Sequence, residues 1–289
     1  MQKGSVKKPV RPAQHQVRPG LEKKMKPLPI FDYREIKGNN RLKNKIAFIT
    51  GGDSGIGKAV AVLFAKEGAT IAIAYLKEDK DAKETKQYIE ENYGRRCLLI
   101  KGDLSREINC INAVKKTVKQ FSRIDILVNN AALHYENESL ETLSTKELIK
   151  TFETNIFSYF WITKAALPYM SKGSCIINSS SVTAYRGSGS LIDYASTKGA
   201  IVAFTRSLSS NLAKKGIRVN GVAPGPIWTP LIPSSFKATK VAQHGSDVPM
   251  QRAGDPAEIA PSYLFLASSD ASYMTGQFLH PNGGEIING

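Results

Sequence analysis

From Lys45 onward the chain alternates short, wholly apolar runs with stretches of helical periodicity. KIAFIT (45–50), TIAIAYL (70–76), RCLLIKGD (96–103), DILVNNA (125–131), SCIINSS (174–180), IRVNGVAP (217–224) and QFLHPNGG (277–284) read as strands. Helical segments separate them, the first running through GKAVAVLFAKEG. A strand exposed on one face alternates apolar and polar positions, whereas runs that are apolar throughout belong to a parallel sheet covered on both faces. The pattern predicts a single doubly wound α/β domain over residues 45–289, with about seven parallel strands and helices on both faces. No internal repeat interrupts it.

Composition changes this picture at one end only. With 289 residues and 42% hydrophobic content, the chain can bury a full core. It has no run of about 18 apolar residues to span a membrane, and its start lacks the apolar stretch of a secretory signal. Cys97, Cys110 and Cys175 are scattered and odd in number, which suits a reducing cytoplasm better than a disulfide framework. The four histidines stand at no metal-ligand spacing, so no metal is expected. The net charge of +15 is concentrated, because residues 1–45 hold 13 of the 40 Lys and Arg but only 3 of the 25 acids. Five of the 14 prolines fall in the first 30 positions. Residues 1–44 therefore read as a basic, Pro-rich extension. The remainder has little excess charge, so neither nucleic acid nor membrane is an expected partner, although the extension alone could act as a tether to an anionic surface.

Between the first strand and the first helix lies ITGGDSGIGKAV. Glycines at 51, 55 and 57 let the backbone turn tightly and approach a pyrophosphate, while the helix start offers unpaired N–H groups and a positive dipole end. A glycine-rich turn alone is weak evidence; its place after the first strand of an alternating pattern is the context the motif requires. A second stretch, DYASTKGA, sets Tyr194 and Lys198 one helical turn apart on one face.

TGxxxGxG (Thr50 to Gly57), NNAA (129–132), a serine ahead of YxxxK, and PG (224–225) occur in the order and at the separations of the short-chain dehydrogenase/reductase family, which residues 42–289 resemble. The resemblance implies a Rossmann-type fold, an NAD(P)-dependent oxidoreductase moving a hydride between nicotinamide and an alcohol or carbonyl substrate, and a homotetramer. It also implies roles. Tyr194 is the acid/base. Lys198 holds the nicotinamide ribose and, as a cation, lowers a phenol pKa that is otherwise about 10. The family's serine lies 13 positions before the tyrosine, which selects Ser181 over Ser180 and Ser179 to bond the substrate oxygen. Asn155 in FETNIF matches the residue that binds a water in a proton relay toward the lysine.

The same resemblance places the cofactor. Gly51, Asp53, Ser54, Gly55, Ile56 and Gly57 form its phosphate turn, and Tyr75 and Leu76 end the second strand beside the adenosine. Asp103 with Leu104 faces the adenine, Asn130 with Ala131 the adenosine ribose. Pro224, Gly225, Ile227 and Thr229 accompany Tyr194 and Lys198 at the nicotinamide. Ala132 stands where the family usually has Gly, and Asn282 where relatives often have Asp, which puts the end strand's contacts in question. Trp228 either shapes the pocket or packs under the following loop. Position 75 lacks the acid of NAD-preferring relatives, and neither Leu76 nor Ser54 is the Arg of NADP-preferring ones. Lys77 is the nearby cation. Without an Arg fork for a 2′-phosphate, the reading leans to NAD over NADP.

Residues 230–250 follow the nicotinamide contacts and form the substrate loop, where Leu231, Ile232 and Phe236 mix with polar residues. A neutral ketone, aldehyde or sugar-like alcohol fits that composition. The rival class is a dinucleotide-binding regulator or scaffold without turnover; the intact Asn155, Ser181, Tyr194 and Lys198 favour the enzyme, because a binder needs no acid/base. Within the extension, residues 1–20 are too polar to offset their ordering entropy. Residues 27–42, with Leu28, Ile30, Phe31, Tyr33 and Ile36, are expected to dock on the domain and to support stability or assembly without supplying a catalytic group.

Overall fold

Each apolar run becomes a strand in the computed structural model, which describes residues 7–287. In chain order the elements are β1 (Ile46–Thr50), α1 (Gly55–Lys66), β2 (Thr70–Tyr75), α2 (Asp79–Tyr93), β3 (Cys97–Lys101), α3 (Glu107–Phe121) and β4 (Ile126–Asn129). There follow α4 (Thr145–Phe152), a π-helical turn (Glu153–Phe157), α5 (Ser158–Ala166), β5 (Cys175–Ser179), α6 (Thr183–Arg186) and α7 (Ile192–Leu212). The chain continues through β6 (Arg218–Val222), α8 (Leu231–Ser235), α9 (Ala238–Ala242) and α10 (Pro256–Ala267) to β7 (Phe278–Leu279).

The strands pair in the order β3-β2-β1-β4-β5-β6-β7, every pair parallel. Strand residues alternate between two cores, which explains why the runs are apolar throughout. Ala47, Ile49, Ile71 and Ile73 pack with Phe64 of α1 and Tyr263 of α10 on one face. Phe48, Ala72, Leu127 and Ile176 pack with Val114 of α3 and Ile162 of α5 on the other. The chain reverses its direction of growth between β1 and β4. At that point the connections leave to opposite faces and open a crevice at the carboxyl ends of the strands. Among the described residues, no helix is long and apolar enough to cross a membrane.

The last run is mostly not strand. Only Phe278 and Leu279 join the ladder, because Pro281 has no N–H to donate and Gly283 and Gly284 turn the chain at φ +77° and +98°. Asn282 caps this turn: its Nδ2 donates to the Glu285 carbonyl (2.6 Å) and its Oδ1 accepts from the Gly284 N–H (3.0 Å).

The extension departs most from the sequence reading. Residues 1–6 lie outside the described residues, but residues 7–20 do contact the domain. The Val10 N–H donates to the Ala242 carbonyl and that of Gln16 to the Pro233 carbonyl, both at 2.8 Å, so the segment rides on the substrate loop. Of the residues expected to dock, Leu28, Ile30 and Ile36 are 61%, 47% and 58% exposed. Of that segment Phe31 packs against the core and Leu42 is buried in it, as expected of 27–42, and further contact is made by Met25, buried with Leu191, Trp228 and Phe236, and by polar groups. Asp32 accepts from Lys66 Nζ (2.5 Å), from the Tyr88 hydroxyl (2.8 Å) and from that of Tyr93. Arg11, Arg18 and Arg34 stack on Trp228, Tyr135 and Tyr88 of the same chain, so these charges are turned to the fold rather than held out for a polyanion.

The Asp32–Lys66 pair is buried on both sides, and removing one member of such a pair leaves the other uncompensated. Asp32→Ala should therefore lower unfolding free energy by about 3 kcal/mol, read from urea denaturation of the full-length protein. A loss below about 1 kcal/mol would show that the extension is not anchored there.

Candidate active site

The glycine turn and the end of β4 are stitched together. Thr50 Oγ1 accepts from the N–H groups of Asn130 (2.8 Å) and Ala131 (2.9 Å), while Asn130 Nδ2 donates to the carbonyls of Thr50 (3.0 Å) and Gly51 (3.2 Å). Gly51 has φ +64°, and a β-carbon on Gly57 would fall 1.9 Å from the Gly51 carbonyl oxygen. No other residue fits there, so the first turn of α1 lies directly on the loop and presents its N–H groups at the crevice. The residues fit a pyrophosphate.

Asp53 beside this turn is buried. Burial first, and the neighbouring Glu78 next, push its carboxyl up to about 7. Tyr75 is buried and donates to Asp79 Oδ1 (2.8 Å), whereas Leu76 is exposed. Asp103 accepts from Lys150 Nζ (2.7 Å) and from the Ser105 N–H.

The end of β5 separates three consecutive serines. Ser179 Oγ bonds the Tyr263 hydroxyl (2.6 Å) and donates to Asn130 Oδ1 (3.3 Å); Ser180 Oγ donates to the Lys198 carbonyl (2.9 Å). Ser181 Oγ accepts from the Thr183 N–H (3.2 Å), and Ser181 lines the same cavity as Tyr194. Both Tyr194 and Lys198 project from the first two turns of α7.

Lys198 is 1% exposed, and its Nζ donates to the Ser179 carbonyl (2.8 Å). Burial pulls its ammonium down to about 7 and pushes the Tyr194 phenol up to about 12. The expected lowering of the tyrosine by its lysine is therefore not what the structure gives. Desolvation disfavours both charged forms, and a lysine near its own midpoint exerts only part of a unit charge.

Asn155 is fully buried in the π-helical turn, a local widening of the helix frequent at functional sites. Its amide reads both backbone groups of Leu133, accepting from the N–H and donating to the carbonyl, each at 2.8 Å, and Nδ2 also reaches Thr197 Oγ1 (3.2 Å). That clamp fixes the strand end that carries His134.

Ser181 and Tyr194 open on a cavity of about 780 Å³, with Ile56, Pro224, Gly225, Ile227 and Thr229 on its cofactor side and Leu231, Ile232 and Phe236 of the substrate loop opposite. Trp228 does not line it. The ring is fully buried under the loop, with Nε1 donating to the Pro27 carbonyl (2.8 Å). Three polar features of this cavity escaped the sequence reading. His134 packs edge-on to Tyr194 at 5.2 Å between centroids, and burial pulls its imidazole down to about 3, so it is neutral. Lys240 joins Glu136 (2.5 Å) and Ser190 Oγ (3.1 Å). Ser188 and Gln243 add further polar groups to the lining. The one sequence signal was that His134 follows closely on NNAA.

A parallel sheet reversing at β1/β4, a glycine turn tight enough for a pyrophosphate and a Ser–Tyr–Lys group, its lysine buried and its tyrosine open to the cavity, define a dinucleotide-dependent enzyme of the doubly wound class. Residues 51–285 match the family model described as enoyl-(acyl carrier protein) reductase. The chain is 54% identical to the NADPH-dependent aldehyde reductase 1, chloroplastic, of Arabidopsis thaliana, over 93% of this chain and 96% of the relative. It is 51% identical to the glucose and ribitol dehydrogenase of Daucus carota, over 96% and 97%. A short-chain dehydrogenase of Burkholderia cenocepacia J2315 solved in complex with NADP superposes with a TM-score of 0.79 at 29% identity, covering 84% of this chain and 98% of that one. The chain belongs to the short-chain dehydrogenase/reductase family and is an NAD(P)-dependent oxidoreductase.

Two outcomes follow from the geometry. Gly57→Ala should raise the dissociation constant of the nicotinamide cofactor by at least about tenfold in fluorescence titration, because the methyl must displace the Gly51 carbonyl. Lys198→Met should stabilise the cofactor-free protein. The folded lysine gives up its proton at about 7 while the unfolded one keeps it to about 10.5, so burial of the charge costs most at and below pH 7 and nothing above pH 10.5. The gain over wild type, read from melting temperatures, should therefore shrink between pH 7 and pH 10; a constant difference would mean that Lys198 is not desolvated.

Proposed function

We propose that Tyr194 is the proton donor and acceptor for a carbonyl/alcohol pair, with Ser181 holding the substrate oxygen and Lys198 holding the nicotinamide ribose. The observation that carries this is the convergence of Ser181 and Tyr194 on one cavity above a buried Lys198, while Ser179 and Ser180 are committed elsewhere. The nicotinamide supplies or accepts the hydride. The neutral phenol donates its proton to the carbonyl oxygen on reduction, and the Ser181 hydroxyl stabilises the charge that develops there. Asn155 acts by pinning Leu133, and a water relay toward Lys198 is its further role by family resemblance. Gly51, Ser54, Gly55, Ile56, Gly57, Asn130 and Ala131 would hold the diphosphate and adenosine ribose. Asp103 and Leu104 lie at the adenine, Pro224, Gly225, Ile227 and Thr229 at the nicotinamide. This is a reading as an enzyme; a silent scaffold would have no use for a buried amine beside a phenol.

The substrate is a small polar carbonyl or its alcohol. His134, Ser188, Ser190, Lys240 and Gln243 offer several donors and acceptors opposite an apolar wall, and the relatives' names include an aldehyde reductase and a sugar and polyol dehydrogenase. NAD remains the preferred cofactor in this reading. Neither Ser54 nor Leu76 is an Arg that could fork a 2′-phosphate, against which the NADPH named for the Arabidopsis relative is the counterweight. Catalytic efficiency with NADH should exceed that with NADPH by less than about tenfold; a preference for NADPH would assign exposed Lys77 to the 2′-phosphate. A homotetramer follows by family resemblance. Its candidate contact face carries exposed Phe157 of the π-helical turn and exposed Phe160 of α5, the latter 4.2 Å from Phe204 of α7 between ring centroids, and exposed Ile286 is a second. The cytoplasm suits three buried, unpaired cysteines.

Tyr194→Phe should reduce turnover by about 10³-fold or more and leave cofactor affinity within about twofold, since only the hydroxyl is lost. With the phenol at about 12, alcohol oxidation should accelerate as pH rises above neutral while carbonyl reduction stays level over the same range. Retained activity in Tyr194→Phe, or an oxidation rate indifferent to pH, would remove Tyr194 from the proton transfer.

A further inference from the structure

The extension crosses the active site from its substrate side to its phosphate side, and it does so with buried polar groups. Arg18 Nη2 donates to the His134 carbonyl (2.8 Å) and to Ser235 Oγ (3.3 Å), with its guanidinium 4.2 Å over the Tyr135 ring. Two residues on, Gly20 lies against Pro230, the residue after Thr229. A β-carbon there would sit 2.3 Å from the Pro230 carbonyl oxygen. Two residues further, Glu22 is 6% exposed. Its Oε2 accepts from the Gly55 N–H (2.9 Å) at the first residue of α1, its Oε1 pairs with Lys58 Nζ (2.5 Å), and its own N–H donates to Asp81 Oδ2 (3.1 Å). Lys58 Nζ is held from its other side by the Phe31 ring, 3.8 Å away. A carboxylate with its full complement of donors at the start of the phosphate-binding helix fixes the orientation of that turn. Taking it away would leave Lys58 buried without its counter-ion. At the other end of the crossing, the backbone that Arg18 holds carries the imidazole packed against Tyr194.

We propose that Arg18 and Glu22 of the N-terminal extension are positioning residues of the active site, Glu22 setting the phosphate turn through Gly55 and Lys58, and Arg18 setting the His134 backbone beside Tyr194. The extension is then part of the binding site of this enzyme and not an appended tail. The proposal rests on the reading of the crevice as the nicotinamide dinucleotide site. The alignment with the carrot dehydrogenase, which takes in 96% of this chain, is long enough to run through most of this segment. The Burkholderia structure covers 84% of it.

The test uses the full-length protein in three variants, with cofactor affinity measured by titration of NADH and NADPH in the absence of substrate. Glu22→Gln keeps the shape and one acceptor but loses the charge on Lys58. It should lower the melting temperature, as Asp32→Ala does, and in addition raise both dissociation constants by about tenfold or more at temperatures where the variant is folded. Arg18→Met should leave those constants within about twofold and lower kcat/KM for a carbonyl substrate by about tenfold, because it acts on the Tyr194 side alone. Asp32→Ala is the control for anchoring of the extension as such, and should lower melting temperature without moving cofactor affinity at temperatures where it is folded. If Glu22→Gln behaves like Asp32→Ala, or if Arg18→Met has wild-type kinetics, the proposal is overturned and the extension only stabilises the fold. A wild-type protein that binds neither nucleotide would instead sink the dinucleotide reading itself, and this proposal with it.

Discussion

The carbonyl oxygen of Gly51 occupies the space that a side chain on Gly57 would need, and this one close approach orders the rest of the site. It forces the loop after β1 and the first turn of α1 into contact, which brings helix N–H groups to the crevice at the sheet's reversal point. The loop in turn is bonded through Thr50 and Asn130 to the end of β4, so the two halves of the sheet are held together where they diverge. Inward from there the ladder is polar: Asn129 donates to Asn178 Oδ1 (2.9 Å), and Asn178 Nδ2 to Thr205 Oγ1 (2.9 Å) on α7. Both amides are buried and bonded through Nδ2, although Asn129 Oδ1 finds no hydrogen-bond partner among the described residues, so strands β4 and β5 and the helix carrying Tyr194 and Lys198 are fixed in mutual register by bonds that apolar contact alone would not specify.

That rigidity is what allows the site to hold a buried amine. A lysine 1% exposed with a carbonyl for a partner costs folding energy while it is charged, whereas the Tyr194 phenol, pushed up to about 12, is neutral in the folded and unfolded chain alike. The fold tolerates the lysine because the flanking strands and α7 do not yield. The same argument explains Asn155, whose amide is spent on the Leu133 backbone so that the segment leading to His134 cannot relax away from the phenol.

Much of this was legible in the sequence, and the reason differs by residue. The sheet was legible because both of its faces are covered, leaving unbroken apolar runs such as KIAFIT and TIAIAYL. Ser181 was reached through the family's separation of serine and tyrosine, and in the structure it lines the same cavity as Tyr194 while Ser179 and Ser180 bond elsewhere. The direction of the Tyr194 shift was not legible, since two residues one turn apart suggest attraction, and only their shared burial reveals that desolvation outweighs it. Tyr75, read as lying beside the adenosine where NAD-preferring relatives have an acid, donates its hydroxyl to Asp79, a bond that its place at the end of the second strand did not suggest.

The extension was misread for a physical reason that reaches beyond its own residues. Hydrophobicity is a one-way guide: it nominated Leu28, Ile30 and Ile36, which remain exposed, over Glu22, which is buried. An extended segment has no periodicity to betray its buried face, and the groups that satisfy Glu22, Arg18 and Asp32 lie far along the chain in sequence. Its positive charge misled in the same way. Arg11 lies over the buried Trp228 ring, whose Nε1 is taken by the Pro27 carbonyl, so a charge counted as free for a polyanion is consumed in covering the loop beneath the substrate cavity. A segment rich in proline and cations can therefore be structured through single, widely spaced polar contacts. Where those contacts end on a glycine turn and beside a reacting phenol, they tie the order of the segment to the geometry of the site.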